Sequence, residues 1–529
     1  MRWRRWGELA ARTSVPVLAV AVVATAVAAS PRLVGDPPER AGRQEAARHA
    51  VPVRSTTLSC PGPVTPGTPV QVLAASAPRE LRPVVRAPHP QPGPPSVSVL
   101  TLTPPRAPAE QPAPTAGSSD VRTVLGAAPA SQPTGQPSGQ PTGQPTGEPG
   151  GGLGAVLAVG RGAAAPGLVA EQWASTTSGD HRGLTGATCL APQDDLWLVG
   201  GGDQEGRRGR LVLSNPHDSS TQVSIDVHGT DGLVPRTPGS SVVLAPRSRT
   251  EVLLDALAPG ATAPVVHVRT AGASVGAVLR DGWLDGLVPR GVDDAVAATA
   301  PSRRVLVPGL VLPAKGSASV RIAVPGTSQG VAQVRLWGPD GEVQVPGADV
   351  VRVPAGSTRE VDLGRAPAGS YGISVHADVP VVAAARVEER PDPDGPSDFA
   401  WSASAEPVAD LAGGAVPDGP GAGWSTTVLL TAVGAATGET LLPDPLVDVV
   451  GVQPDGEQRT RTVVVPRGTT VAVPVSGRSV WVRPQPGRGP VVAARAVRLE
   501  DPRGALVTVS PLRQVLLRQV PVDVVPLPD

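Results

Sequence analysis

Aromatic side chains are scarce in this 529-residue chain, at 2% of positions: nine Trp, with Tyr371 and Phe399 the sole members of their types. With 62 Gly and 64 Pro alongside, that scarcity argues against a helical enzyme and for short strands, many turns and linker. Lys315 is the only lysine, a bias we assign to GC-rich codons rather than to chemistry. Basic and acidic residues balance at 46 each, so the molecule has no electrostatic footprint for nucleic acid. Only two cysteines are present, Cys60 and Cys189. There is no Cys-x-x-Cys, no His-Glu-x-x-His and no clustered set of ligands, so neither a metal nor another cofactor is expected.

What is present begins with export. Arg2, Arg4, Arg5 and Arg12 precede an uncharged Val/Ala-rich stretch from Thr13 to Ser30, followed by Pro31-Arg32. Eighteen residues is the short end for a membrane span, and the leading arginines place that end in the cytoplasm. We expect residues 1–30 to be a cytoplasmic tip and transmembrane anchor, with the bulk extracytoplasmic. A cleaved signal at Ala26-Val27-Ala28, giving a secreted protein, is the alternative. In an oxidising compartment Cys60 and Cys189 are expected to pair; two unpaired buried thiols are the other reading.

Behind the leader the chain repeats itself. Gln172, Arg280, Arg386 and Arg495 each follow a small apolar run, at steps of 108, 106 and 109 residues. A proline before Ser/Thr recurs at Pro246, Pro354 and Pro466, and Asp-Gly at Asp231-Gly232, Asp340-Gly341 and Asp455-Gly456. Landmarks that keep one order and one period mark a domain-sized repeat. Within it, Val223, Ile225 and Val227 alternate with polar residues, as do Val334 and Leu336, which predicts half-buried strands. Asp-Gly after each such strand predicts a hairpin. The expected fold is all-β: tandem β-sandwich repeats, immunoglobulin-like in architecture only, since the Cys…Trp…Cys spacing of antibody domains is missing.

The expected layout is a linker stalk at 31–54, then a degenerate first repeat at 55–190. A disordered Pro/Gly/Gln insert interrupts that repeat at about 104–152, with tetrapeptides such as Gln132-Pro-Thr-Gly. Sandwiches follow at 191–300, 301–408 and 409–515, with a tail at 516–529. A Cys60–Cys189 bond would tie the first repeat across its insert.

Chemistry is thin. Gly326-Thr-Ser328-Gln-Gly330 fits a serine-hydrolase pattern, but a strand rather than a helix follows it, and His376 is the only histidine downstream. His267 and His376 occupy equivalent strand positions, with Trp481 in the third place, and positions repeated from domain to domain do not converge on one ion. Asp392, Asp394 and Asp398 share a turn-prone stretch that offers too few oxygens for a calcium shell. Asp293-Asp294 and Glu388-Glu389 read as surface charge. Trp337 lies in the polar phase of its strand and aligns with His228, making these two the candidate ligand contacts, for sugar above all. No catalytic residue is assigned.

Several motifs together resemble a family of actinobacterial membrane-anchored envelope proteins of unknown function. They are the N-terminal anchor, Leu58-Ser-Cys60-Pro-Gly-Pro, Cys189-Leu-Ala-Pro, Leu196-Trp-Leu-Val-Gly200-Gly and Leu213-Ser-Asn215-Pro. The resemblance covers roughly residues 55–515 and implies compartment and architecture, not a reaction. The expectation is a non-enzymatic envelope scaffold or interaction protein, partnered by envelope proteins or cell-wall polysaccharide. A glycan-binding module is the alternative and a serine hydrolase the remote one.

Overall fold

In a computed structural model the chain is all-β. The structure describes residues 51–63, 69–82, 95–102, 120–125, 153–364, 366–417, 423–433 and 442–519. The expected anchor, the stalk to residue 50 and most of the expected insert lie outside the described residues. Two compact units can be separated. In the smaller, Val51–Pro52 pairs antiparallel with Arg518–Gln519. The larger, residues 53–83 and 89–517, holds everything that follows.

The period in the sequence is a period of strands. In the second repeat one sheet runs Asp195–Val199, Val265–Ala271, Thr221–Gly229, and the other runs Val288–Val296, Gly276–Asp285, Arg207–Ser214, Ser248–Leu253. The first repeat has the same two orders, ending in Gly183–Thr188 at the edge of its second sheet. Strands Asp398–Ala403 and Leu506–Gln514 hold the matching position in the third and fourth, the latter pairing also with Ala412–Ala415 on its far side. Leu, Val and Ile from both sheets fill each interior: Leu211, Val223, Ile225, Val268 and Leu279 in the second, Val320, Val334, Leu336 and Ile373 in the third. The alternation at Val223, Ile225 and Val227 therefore marks a buried face.

Turns recur with the strands. Asp231-Gly232 and Asp340-Gly341 close two-residue hairpins, with φ +119° and +121° at the glycines. After each landmark proline a hydroxyl folds back on the carbonyl three residues earlier: Ser248 on Ala245, Ser357 on Pro354, Thr469 on Pro466, at 2.7, 2.9 and 2.6 Å. The residue before each hydroxyl is left-handed, at Arg247, Gly356 and Gly468. We expect Gly356→Ala to cost about 1 kcal/mol, because a Cβ there is strained in that conformation; urea unfolding checks it.

Two features differ from a string of separate sandwiches. Strand Gly369–Glu389 runs 21 residues and pairs in both layers of the third repeat, fusing them into one eight-stranded sheet. In the fourth, Ala412–Ala415 pairs with both Ser479–Pro484 and Leu506–Gln514, with the same result. Moreover, the repeats close on themselves. The four edge strands pack in a cycle, each against the next and Leu506–Gln514 against Gly183–Thr188.

Outer sheet faces make the seams of that cycle. Ala323, Val382 and Ala384 of the third repeat join the core of the second. Leu429, Ala494 and Val509 of the fourth join that of the third. Leu73 and Trp173 of the first pack with Ala415 and Val497 of the fourth. Within the larger unit the repeats form a ring, not an extended string.

Candidate functional site

Where the four edge strands meet, small residues let backbones approach and carboxylates bind them together. A Cβ on Gly291 would lie 2.8 Å from the Cα of Asp398, and one on Gly183 would lie 2.6 Å from Val292. Asp398 is fully buried. Its Oδ2 accepts from the backbone N–H of Leu184 at 3.1 Å and of Val507 at 2.9 Å, and its Oδ1 from Val292 at 3.4 Å. One carboxylate of the third repeat thus bonds to the first, second and fourth. Asp293 accepts from Trp401 N at 2.7 Å and from Thr508 Oγ1 at 3.1 Å. Burial pushes both carboxyls well above the usual carboxylate range, against the pull of these N–H donors. The hub is packed, and its chemistry is cohesion.

Charge is also concentrated in the seams. Between the second and third repeats Arg207 grips Asp281 with two bonds, of 2.9 and 2.5 Å, while Trp401 Nε1 donates to the same carboxylate at 2.8 Å. Arg321 donates to the carbonyls of Gly200, Gly201 and Pro264. Arg386 lies over Phe399 at 4.7 Å; burial, then the nearby Arg207, brings its guanidinium down to about 10. Between the fourth and first repeats Arg495 lies over Trp173 at 4.6 Å, 3.0 Å from Glu171. Arginines and tryptophans interleave here because a planar guanidinium stacks on a ring while its edge still donates.

The landmark residues turn out to be of two kinds. Arg280 and Arg386 project from the outer sheet face into seams. Gln172 and Arg495 sit one residue out of phase, on the face of the inward Ala170 and Ala493. A one-residue offset in a strand moves a side chain to the opposite face, which the spacing alone conceals. Gln172 instead clasps Gly62, accepting from its N–H at 2.7 Å and donating to its carbonyl at 2.9 Å. That clasp lies beside the Cys60–Cys189 disulfide, whose cysteines, 129 residues apart, have Cα atoms 4.5 Å from each other.

Several expectations need correction. Trp337 is 6% exposed and His228 5%, so neither offers a surface to a ligand. The supposedly polar face of Trp337's strand is covered by the next repeat, where Thr470 Oγ1 donates to the Trp337 carbonyl and the indole packs with Leu306, Val433 and Val492. Its Nε1 donates to Ser374 Oγ at 3.0 Å. His228 Nδ1 contacts the Gly356 carbonyl at 2.7 Å, across the seam between the second and third repeats. Among the described residues no Trp is exposed. We expect Trp337→Phe to lower stability by about 1 kcal/mol through the lost hydrogen bond, measured by denaturant unfolding.

Asp293, Asp294 and Glu388 are buried rather than superficial. Asp294 takes a two-pronged grip from Arg280 at 2.7 and 2.6 Å, and Glu388 accepts from Arg390 and Ser397. Asp398 leaves Asp392 and Asp394 behind in their exposed turn, so these three carboxylates do not converge. Ser328 is exposed in a bend between strands Gly316–Ala323 and Gly330–Gly338, and no helix follows it. His267 stacks on Trp197 with ring centroids 3.8 Å apart, and its Nε2 lies 3.1 Å from Asp195. His376 holds the same place in its sheet row, between Arg304 and Gln333, as Trp481 does between Gly413 and Val450.

Sequence reading gave Asp398 and Arg495 other roles and did not single out Asp281, Glu171 or Arg182, the last buried and donating to the Ser397 carbonyl at 3.0 Å and to Asp501 at 3.2 Å.

Residues 126–155 match a proline- and threonine-rich disordered repeat, over the tetrapeptide array. No curated protein and no solved structure matches the chain. Residues 146–476, which span the second and third repeats, the end of the first and much of the fourth, match a family of unknown function, DUF5719, and the chain belongs to that family.

Proposed function

We propose that this protein is a non-enzymatic, membrane-anchored scaffold or interaction protein of the cell envelope. Thr13–Ser30 would be its anchor and the ring its extracytoplasmic body. In this reading the repeats at 55–190, 191–300, 301–408 and 409–515 are modules of immunoglobulin-like sandwich type whose layers have partly fused. The observation that carries it is the hub: Asp293 and Asp398, both buried, accept from N–H and O–H groups of other repeats and bind the ring together. Most of the buried Arg and Trp side chains are engaged in the seams. The Cys60–Cys189 bond favours an oxidising compartment. Among the described residues no helix is long and apolar enough to cross a membrane. The anchor therefore rests on the sequence of Thr13–Ser30.

Fractionation of cells with intact outer surfaces tests this reading. The full chain is expected to sediment with membranes, to be digested by external protease, and to resist thiol alkylation until reduced. Recovery from the cytosol with Cys60 and Cys189 free would defeat it. Labelling of Ser328 by a fluorophosphonate would replace it with the hydrolase.

A further inference from the structure

Each of three seams holds a cleft beside the outer sheet face of a repeat, and the three differ in how an arginine is matched. Between the first and fourth repeats, Leu73, Ala75 and Val121 face Ala415 and Val416, and Arg478 pairs with Asp120 at 3.0 Å. Between the fourth and third, Val311, Pro313, Ala496 and Val507 form the walls, and Arg498 pairs with Glu389. The cleft between the second and first repeats is different. Arg208, Arg210 and Arg280 line it with Trp283, opposite Asp180 and His181.

Its geometry follows from strand register. Arg208 pairs with Gly282 and Arg210 with Arg280 on neighbouring strands, so all three guanidiniums rise from one sheet face, with a glycine between. Asp294 fixes Arg280 with two bonds. Arg210, 43% exposed, reaches Glu251 only at 3.5 Å. Arg208 is exposed and, among the described residues, has no ion-pair partner, unlike Arg478 and Arg498 in the other clefts. A Cβ on Gly282 would meet nothing nearer than Val292 at 3.7 Å, so the floor is open. The cleft holds about 60 Å³, room for one charged group and far too little for a sugar ring.

We propose that this cleft binds a single oxyanion, a phosphate or carboxylate group, with Arg208 and Arg210 as its donors and Arg280 as the fixed end of the row. Guanidinium forks match such groups in geometry and charge, and a partly enclosed site strengthens the bonds. The rest of the ligand stays outside, so a free anion and one carried on a polymer both fit. The proposal does not depend on the scaffold reading or on the compartment.

Calorimetric titration of the full-length chain with inorganic phosphate, and separately with glucuronate, tests it. Binding is expected to weaken about tenfold in Arg208→Gln through loss of a charge-assisted donor, with the melting temperature of the ligand-free protein unchanged. Gly282→Val, which fills the floor and leaves every charge in place, is expected to abolish binding. Arg335→Gln, at a partly exposed position of the third repeat outside the cleft, is expected to bind as the parent does. Binding of phosphate alone assigns a phosphate-bearing ligand, of glucuronate alone a uronate, and of both the shared oxyanion chemistry. No binding of either at millimolar concentration overturns the proposal, as does wild-type affinity in both Arg208→Gln and Gly282→Val.

Discussion

Asp398→Ala is expected to lower the unfolding free energy of the ring by about 4 kcal/mol, since three buried backbone N–H groups lose their acceptor together. The donors belong to Leu184, Val292 and Val507, in three different repeats, so the damage falls on closure of the cycle rather than on one module's core. Limited proteolysis should then cut between repeats before any repeat unfolds. Asp398→Asn keeps an acceptor for Leu184 and Val507 and should cost less. A melting curve for Asp398→Ala within a degree of the parent would show that the hub carboxylate does not hold the ring.

The same residue gives the ring a pH dependence of definite sign. Burial raises Asp398 and Asp293 well above the ordinary range. A carboxyl raised on folding contributes stability that is complete below its unfolded value, about 4, and is lost as pH climbs through the folded value. Asp281 and Glu388 act in the opposite sense. Burial opposes their charge, but Arg207 beside Asp281, and Arg386 and Arg390 beside Glu388, bring both below the usual range. Their contribution is present above that range and is lost on acidification. Asp398→Asn cannot ionise, so it should flatten the high-pH fall in stability and leave the acid fall in place.

How legible this was in the sequence depends on the distance over which each signal acts. Alternation at Val223, Ile225 and Val227, the Asp-Gly hairpins and the Pro-x-x-Ser turns are local, and they read correctly. The cysteine pairing was legible because only two cysteines exist. Closure of the ring was not, because nothing near Asp398 in the sequence announces that Leu184 and Val507 will lie against it. The same limit misplaced Trp337 and His228: both occupy the polar phase of an amphipathic strand, and a neighbouring repeat, rather than solvent, covers that phase. Arg495 shows the remaining difficulty. It recurs on the period of Arg280 and Arg386, yet a one-residue offset turns it inward, and no spacing argument at a resolution of several residues can separate those cases.

That inward turn sets up the second large effect. Arg495 and Glu171 are both buried, 3.0 Å apart, at the seam where the last repeat meets the first. Burial raises the Glu171 carboxyl despite the facing guanidinium. Contact is close but poorly aligned: Arg495 Nε and Nη2 and Glu171 Oε2 make no hydrogen bond, while Nη1 donates to the Ala415 carbonyl. Such a pair recovers little of what its desolvation costs. Removing one member is far worse than removing both, because it leaves a lone charge in an apolar seam beside Trp173 and Leu512. We therefore expect Glu171→Ala or Arg495→Ala alone to destabilise by about 3–5 kcal/mol, and Glu171→Leu with Arg495→Met to lie within about 1 kcal/mol of the parent. Chemical denaturation of the two singles and the double measures the coupling directly. Additive losses in the double would mean that the seam is held by the Ala415 bond and the stacking on Trp173, with the opposite charges incidental. Recovery in the double would locate the closure of the ring in apolar packing between the first and fourth repeats, with the ion pair tolerated at their junction.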